Sequence, residues 1–328
     1  MANELYTTAL GAVREATLEP QGVREDATLV ASILLANIER YSECLARSRT
    51  EWMIHVQGVS FLAENRGVHQ TRTKLGKAIF RKAREVIIEN AFCNAVEAPS
   101  FVVLYSQAIR YDAHDGMDDQ LAILEIRAAS LFARYCSGDL DQKLGSDAET
   151  YQEDLISWEL DLDRVEKQSE QGDGGRRERW QRIRCQTCMI ICLRVQAATY
   201  DSRWHRETLY TNQARKQSEV AGRERLTAEI LRNSGAEIRM LNAARQEVYR
   251  SPSSLTLTRH LYVIGVCLID ESRQARLAGR MCAAYFHEQM VSVMALLRHL
   301  GQANGDLYSL HILQALQLRQ RRISSGIH

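Results

Sequence analysis

Proline is scarce, with three residues in a chain of 328. Helix breakers are therefore few, and the alternating β-branched runs expected of strands are missing while Leu, Ala, Arg, Glu and Gln recur throughout. That composition predicts an all-α protein. Long apolar runs are absent too: no 18-residue stretch could span a bilayer, and the N-terminal MANELYTTAL has no basic region ahead of an apolar block. No membrane span and no signal peptide are expected, and an intracellular chain, nuclear or cytoplasmic, is. Charge of one sign is also lacking. Forty-two basic residues stand against 41 acidic ones, a net charge of +1, which leaves no global field to draw the chain to nucleic acid or to an anionic membrane. P-loop, glycine-rich dinucleotide turn, serine elbow and HExxH are all missing, so the sequence offers no specific argument for catalysis.

What is present is an apolar fraction of 45%, ample for one large core. Short polar breaks such as SGDLDQKLGS, EQGDGG, NSG, SPSS and GQANGD carry residues that punctuate helices, and none is long enough for a domain linker. The expectation is a single multi-helix domain over residues 1–328, bundle-like with crossing helices. Asp26 and Thr50 read as helix caps, Gly67 as the left-handed residue after a helix end, and Thr73 as the cap of a helix that turns Leu75, Ile79, Val86 and Phe92 inward. Pro99 follows in a predicted loop. Further helices are expected at 118–136, 147–170, 176–220, 221–249, 255–272, 274–300 and 305–321.

Four clusters carry chemistry worth weighing. On the helix EWMIHVQGVSFLAENRG, Trp52, His55, Val59, Leu62 and Arg66 share one face. Its polar members suit an architectural lock in which tryptophan packs, histidine bonds a carbonyl, and arginine reaches a carboxylate or helix end. Gly58 and Gly76 would serve where two backbones approach. Cys185, Cys188 and Cys192 also share a face, but Ile190, Ile191 and Leu193 lie among them and no histidine is near enough in sequence to complete a tetrahedron. Core packing without a metal is the reading, and all eight cysteines are expected as reduced thiols. In YDAHDGMDDQLAILE, Asp115, Asp118 and Asp119 invite comparison with magnesium-binding aspartates, although acids opening a helix are also what capping physics prefers. Finally, Arg176 to Arg184 around Trp180 form a basic stretch that the acidic residues 153–166 could neutralise across a helix pair.

The N-terminal third carries a resemblance. ELYTTALGAVREATLEP, EDATLVASILLANIERY, the Trp-x-x-His-x-x-Gly helix ending in Arg-Gly, and KLGKAIFRKAREVII together resemble the helical regulatory domain of fungal zinc-cluster transcription factors. The matching residues are Trp52, His55, Gly58, Arg66, Gly67, Leu75, Gly76, Phe80 and Arg84, and the likeness is strongest over 4–100. DLISWELDL is a weaker echo, without the proline of the family pattern. Members of that family begin with a DNA-binding module of six cysteines around two zinc ions. No such cysteine set stands here, and Met1 already lies inside the resembling stretch. The resemblance therefore implies a stand-alone regulator of a fungal metabolic pathway, without cofactor or sequence-specific nucleic-acid binding of its own. It would act through a protein partner, a homo-oligomer or a small hydrophobic effector. The alternative is an enzyme on the same scaffold handling a hydrophobic secondary metabolite or, with Mg, an isoprenoid diphosphate. A gene start upstream of Met1 that restores the module is the remaining alternative.

Overall fold

The computed structural model describes residues 2–41, 49–109, 113–168, 175–207, 213–248, 254–277, 283–304 and 307–325. Among them the chain is all-α, with helices and short 3-10 turns and no strand. It folds as two compact units, residues 1–126 and 127–328.

The first unit holds α1 (Ala2–Leu18), α2 (Asp26–Tyr41), α3 (Arg49–Arg66), α4 (Lys74–Asn94), α5 (Ser100–Ala108) and the first half of α6 (Ala113–Ser137). α2, α3 and α4 pack on one another. Their inward residues include Leu29, Ile33, Ala36, Trp52, Val56, Val59, Leu62, Ile79 and Phe80, all buried. Local chemistry sets the element ends. Thr73 caps α4 as expected, its hydroxyl accepting the Gly76 N–H at 3.0 Å. Gly67 closes α3 with φ +69°, a conformation that favours glycine. α4 ends on Ala95 in the left-handed region, where its own N–H and that of Val96 bond back to Ala91 O, as in a Schellman end.

Some expected boundaries differ. Asp26 is the first residue of α2 rather than its cap, and α3 starts at Arg49, which places Thr50 inside the helix. Leu75 is not inward but 60% exposed, because Gly76 is the residue turned towards the preceding turn at Gln70. Pro99 lies in a loop, as expected, but directly before a short helix not expected from the sequence, α5, on which Phe101, Val102 and Ser106 are buried.

The second unit holds the rest of α6 with α7 (Gln142–Gln168), α8 (Gly175–Glu207), α9 (Gln213–Val248), α10 (Ser254–Leu277), α11 (Ala283–Asn304) and α12 (Leu307–Ser325). α8 packs against α7, α9 and α10, while α10 also packs against α11 and α12. Of SGDLDQKLGS only the first residues form the turn: Gly138 takes φ +81°, and Asp141 Oδ1 accepts the Leu144 N–H at 2.7 Å to start α7. Of the helix expected at 176–220, the residues up to Glu207 belong to α8 and residues 213–220 to α9, and the one expected to end at 272 runs on to Leu277. NSG does not break α9. Asn233 donates to Glu229 O at 2.9 Å, Ser234 is buried, and Gly235 leaves room for the Gln289 amide. Most of EQGDGG and SPSS, with Cys44, Asp112 and Cys282, lies outside the described residues. No helix among the described residues is long and apolar enough to cross a membrane.

Candidate functional site

The motif residues of the first unit converge as a helix lock. Trp52 is buried to 6% exposure and packs into the core. The Nε2 of His55 meets the Tyr6 hydroxyl of α1 at 3.0 Å and lies 3.7 Å from the Glu39 carboxylate of α2, to which Tyr6 also donates. One imidazole thus ties three helices. At the other end of α3, Arg66 pairs with Asp26 and donates to Glu25 O at 3.3 Å. It reaches both a carboxylate and the start of α2, where an anion is favoured.

On α4, Phe80 is fully buried, and Arg84 crosses to α5 and α6, donating to Ser106 Oγ at 3.2 Å and to Asp119 Oδ1 at 2.7 Å. Asp119 also receives both nitrogens of a fork from Arg81, at 3.1 and 2.6 Å. Both oxygens of this wholly buried carboxylate therefore face guanidinium. That arrangement explains why α6 begins with acids better than a cation site does. Asp118 is half-buried, and the Asp115 side chain lies outside the described residues. Among the described residues no group of three His, Cys, Asp or Glu is placed to hold a metal ion.

The two glycines of the motif separate. A Cβ on Gly76 would sit 1.9 Å from Gln70 O, so the backbones do approach there. Gly76→Ala is expected to destabilise the first unit by about 1–3 kcal/mol through overpacking, and urea unfolding measures it. Gly58, contrary to expectation, has nothing within 4 Å of its Cβ position. Among the described residues nothing requires a glycine there.

The second unit carries two polar networks that spacing along the sequence did not single out. In one, Glu271 of α10 is fully buried and its Oε1 accepts from Arg194 of α8 at 2.8 Å and from Arg223 of α9 at 2.7 Å. Arg223 also grips Asp201 with two bonds, at 2.9 and 3.0 Å, and Thr227 at 2.7 Å. Next to it, Asp270 takes the Tyr135 hydroxyl and the Arg319 fork of α12. Burial pushes the Tyr135 phenol well above its ordinary range, with Arg194 drawing it back.

The other network joins Thr187 of α8, Glu237 of α9 and His260 of α10, each no more than 2% exposed. Thr187 Oγ1 touches both Glu237 Oε1 and His260 Nδ1, and Arg259 faces His260 Nε2 at 3.3 Å.

The remaining candidates take structural places. Cys185, Cys188 and Cys192 are buried among core side chains, and burial raises the thiols of Cys185 and Cys192, which makes them poor thiolates. Arg182 of the basic stretch pairs across to Glu159 and Asp163 of α7, so part of that charge is neutralised as expected. Trp158 of DLISWELDL is a core residue. No protein-family model, curated protein or solved structure matches the chain.

Proposed function

We propose that the chain is a regulatory helical scaffold of the kind its N-terminal motif implies, a transcription-factor-like protein whose first unit makes protein contacts and does not itself read bases. The observation that supports this reading is the outer face of α3. While Trp52, Val56, Val59 and Leu62 turn inward, Ile54 and Phe61 are 59% and 53% exposed, and the open Gly58 lies between them. Steps of four and three put these residues in one row. A mid-helix glycine costs about 1 kcal/mol against alanine, and a helix packing closely on this row supplies a reason for it that the described residues of the chain do not. α2 adds a second exposed row, Val30, Leu34 and Ile38. Contiguous exposed apolar residues mark contact surfaces.

The proposed occupant is a second copy of the chain, because a row that packs on itself closes a two-fold dimer without a further component. Light scattering on the purified protein is expected to give a dimer, and Phe61→Asp is expected to weaken association by at least about tenfold, in line with loss of a buried phenylalanine. Gly58→Ala separates the roles: it should stabilise the monomer by about 0.5–1 kcal/mol while weakening the dimer. A protein that stays monomeric, or that prefers one DNA duplex over a scrambled one by about tenfold, roughly 1.4 kcal/mol, overturns this reading.

A further inference from the structure

Residues 65–84, NRGVHQTRTKLGKAIFRKAR, hold seven arginines and lysines and no acid, in a chain balanced overall at 42 basic to 41 acidic residues. Four of the seven are committed within the first unit: Arg66 pairs with Asp26, Arg81 and Arg84 share Asp119, and Lys82 meets Glu85 at 2.8 Å. The other three are not. Arg72, Lys74 and Lys77 have no ion pair or hydrogen bond from their side chains among the described residues, and Arg72 and Lys74 are exposed. Lys74 and Lys77 stand among the first four residues of the 21-residue α4, whose first turn has no acid, although that end of a helix favours anions and repels cations. The fold gains nothing from them there.

Apolar surface lies between these cations, since Leu75 is 60% exposed and Val68 37%. The corner is held from beneath. Gln70 and Thr71 of the 3-10 turn Val68–Arg72 are buried; Gln70 Nε2 donates to Ala63 O at 2.7 Å and to Gly67 O at 3.0 Å, and Thr71 Oγ1 donates to Val68 O at 2.8 Å. Gly76 fits against Gln70 O, which joins the turn to α4. Such a preformed surface loses little freedom on binding.

We propose that this corner is a docking site for an acidic protein segment with an apolar anchor, its carboxylates meeting Arg72, Lys74, Lys77 and the α4 N-terminus and its apolar side chain covering Leu75. Charge complementarity calls for a polyanion, and the exposed leucine decides which kind. A peptide can set an apolar side chain among its carboxylates, whereas a nucleic-acid backbone would lay phosphates over Leu75. Stacking on bases is not on offer either, because Phe80 of the stretch is buried. A bilayer needs more apolar area than one leucine and one valine supply. The corner uses other residues than the exposed row of α3, and its use does not depend on the dimer.

The test is fluorescence anisotropy of the full chain with a labelled synthetic helical peptide of glutamates carrying leucines one turn apart, at about 0.05 and 0.3 M salt. The peptide is expected to bind at the lower salt and to weaken at the higher. Affinity should fall at least about tenfold in the triple variant Arg72→Glu, Lys74→Glu, Lys77→Glu, and likewise in Leu75→Asp. The triple variant should melt no lower than the wild type, because acids suit a helix N-terminus, and light scattering should give it the wild-type mass. An unbound peptide, variants that bind as the wild type does, or an all-glutamate peptide that binds equally well overturns the proposal. So does tighter binding of a mixed-sequence duplex or of phosphatidylserine vesicles. A triple variant that melts lower would assign the cations to the fold, and one of changed mass would assign them to self-association; either result also overturns it.

Discussion

Glu271→Ala is expected to cost the second unit about 3–5 kcal/mol, because it leaves two buried guanidinium groups facing one another. Arg194 is 3% exposed, Arg223 is 2% exposed, and both donate to the same Oε1. Asp201 still neutralises Arg223 from the rim, whereas Arg194 keeps the Tyr135 ring, 5.2 Å from its guanidinium carbon, and the charge of Asp270, which lies outside hydrogen-bond range. The ring contact is worth far less than a charged hydrogen bond. Glu271→Gln should fall between, since the amide oxygen still accepts while the charge is gone. Replacing Arg194, Arg223 and Glu271 together by apolar residues of similar volume should recover most of the loss, because the burden of a broken buried pair lies in the uncompensated charge. Chemical denaturation of the three variants measures the series. A cost below about 1 kcal/mol for Glu271→Ala would place the network in solvent.

What the sequence discloses and what it hides follows from range. α3 was legible because its face repeats within a few residues: Trp52, Val59 and Leu62 are all buried, and Arg66 finds a helix start as its position suggests. The partner of His55 was not legible, since Tyr6 lies 49 residues away and no local rule links them. The polar networks were hidden for the same reason, with Arg194 and Glu271 separated by 77 residues and Thr187 and His260 by 73.

A weaker signal was nevertheless on the page. Arg194 sits within CMIICLRVQAA, and Asp270 and Glu271 follow LYVIGVCLI. Charges embedded in runs that are apolar on every side must go into the core with their helix. NSG misled because glycine and serine also serve close packing, and α9 uses Ser234 and Gly235 inside the unit. Leu75 misled because a periodic pattern fixes which residues share a face, whereas the side that meets a neighbour is set by what lies there, here Gln70 against Gly76.

Trp52→Ala is expected to cost the first unit about 3–5 kcal/mol, the usual loss for truncating a large buried side chain. The residue is 6% exposed on the helix that also carries His55 and Arg66, so all three could be thought to share the work of the lock. Magnitudes separate them. The Arg66 partner, Asp26, has a side chain 45% exposed, and an ion pair open to solvent on one side contributes about 1 kcal/mol or less. Arg66→Ala should therefore be mild beside Trp52→Ala, and His55→Ala intermediate, since Glu39 keeps the Tyr6 hydroxyl after the imidazole is gone. Trp52→Phe retains a ring in the same space and should lose less than the alanine variant, with the remaining cavity setting the difference. Thermal or urea unfolding of the first unit ranks the four variants. If Trp52→Ala unfolds with the wild-type midpoint, the tryptophan does not hold α3 in the core.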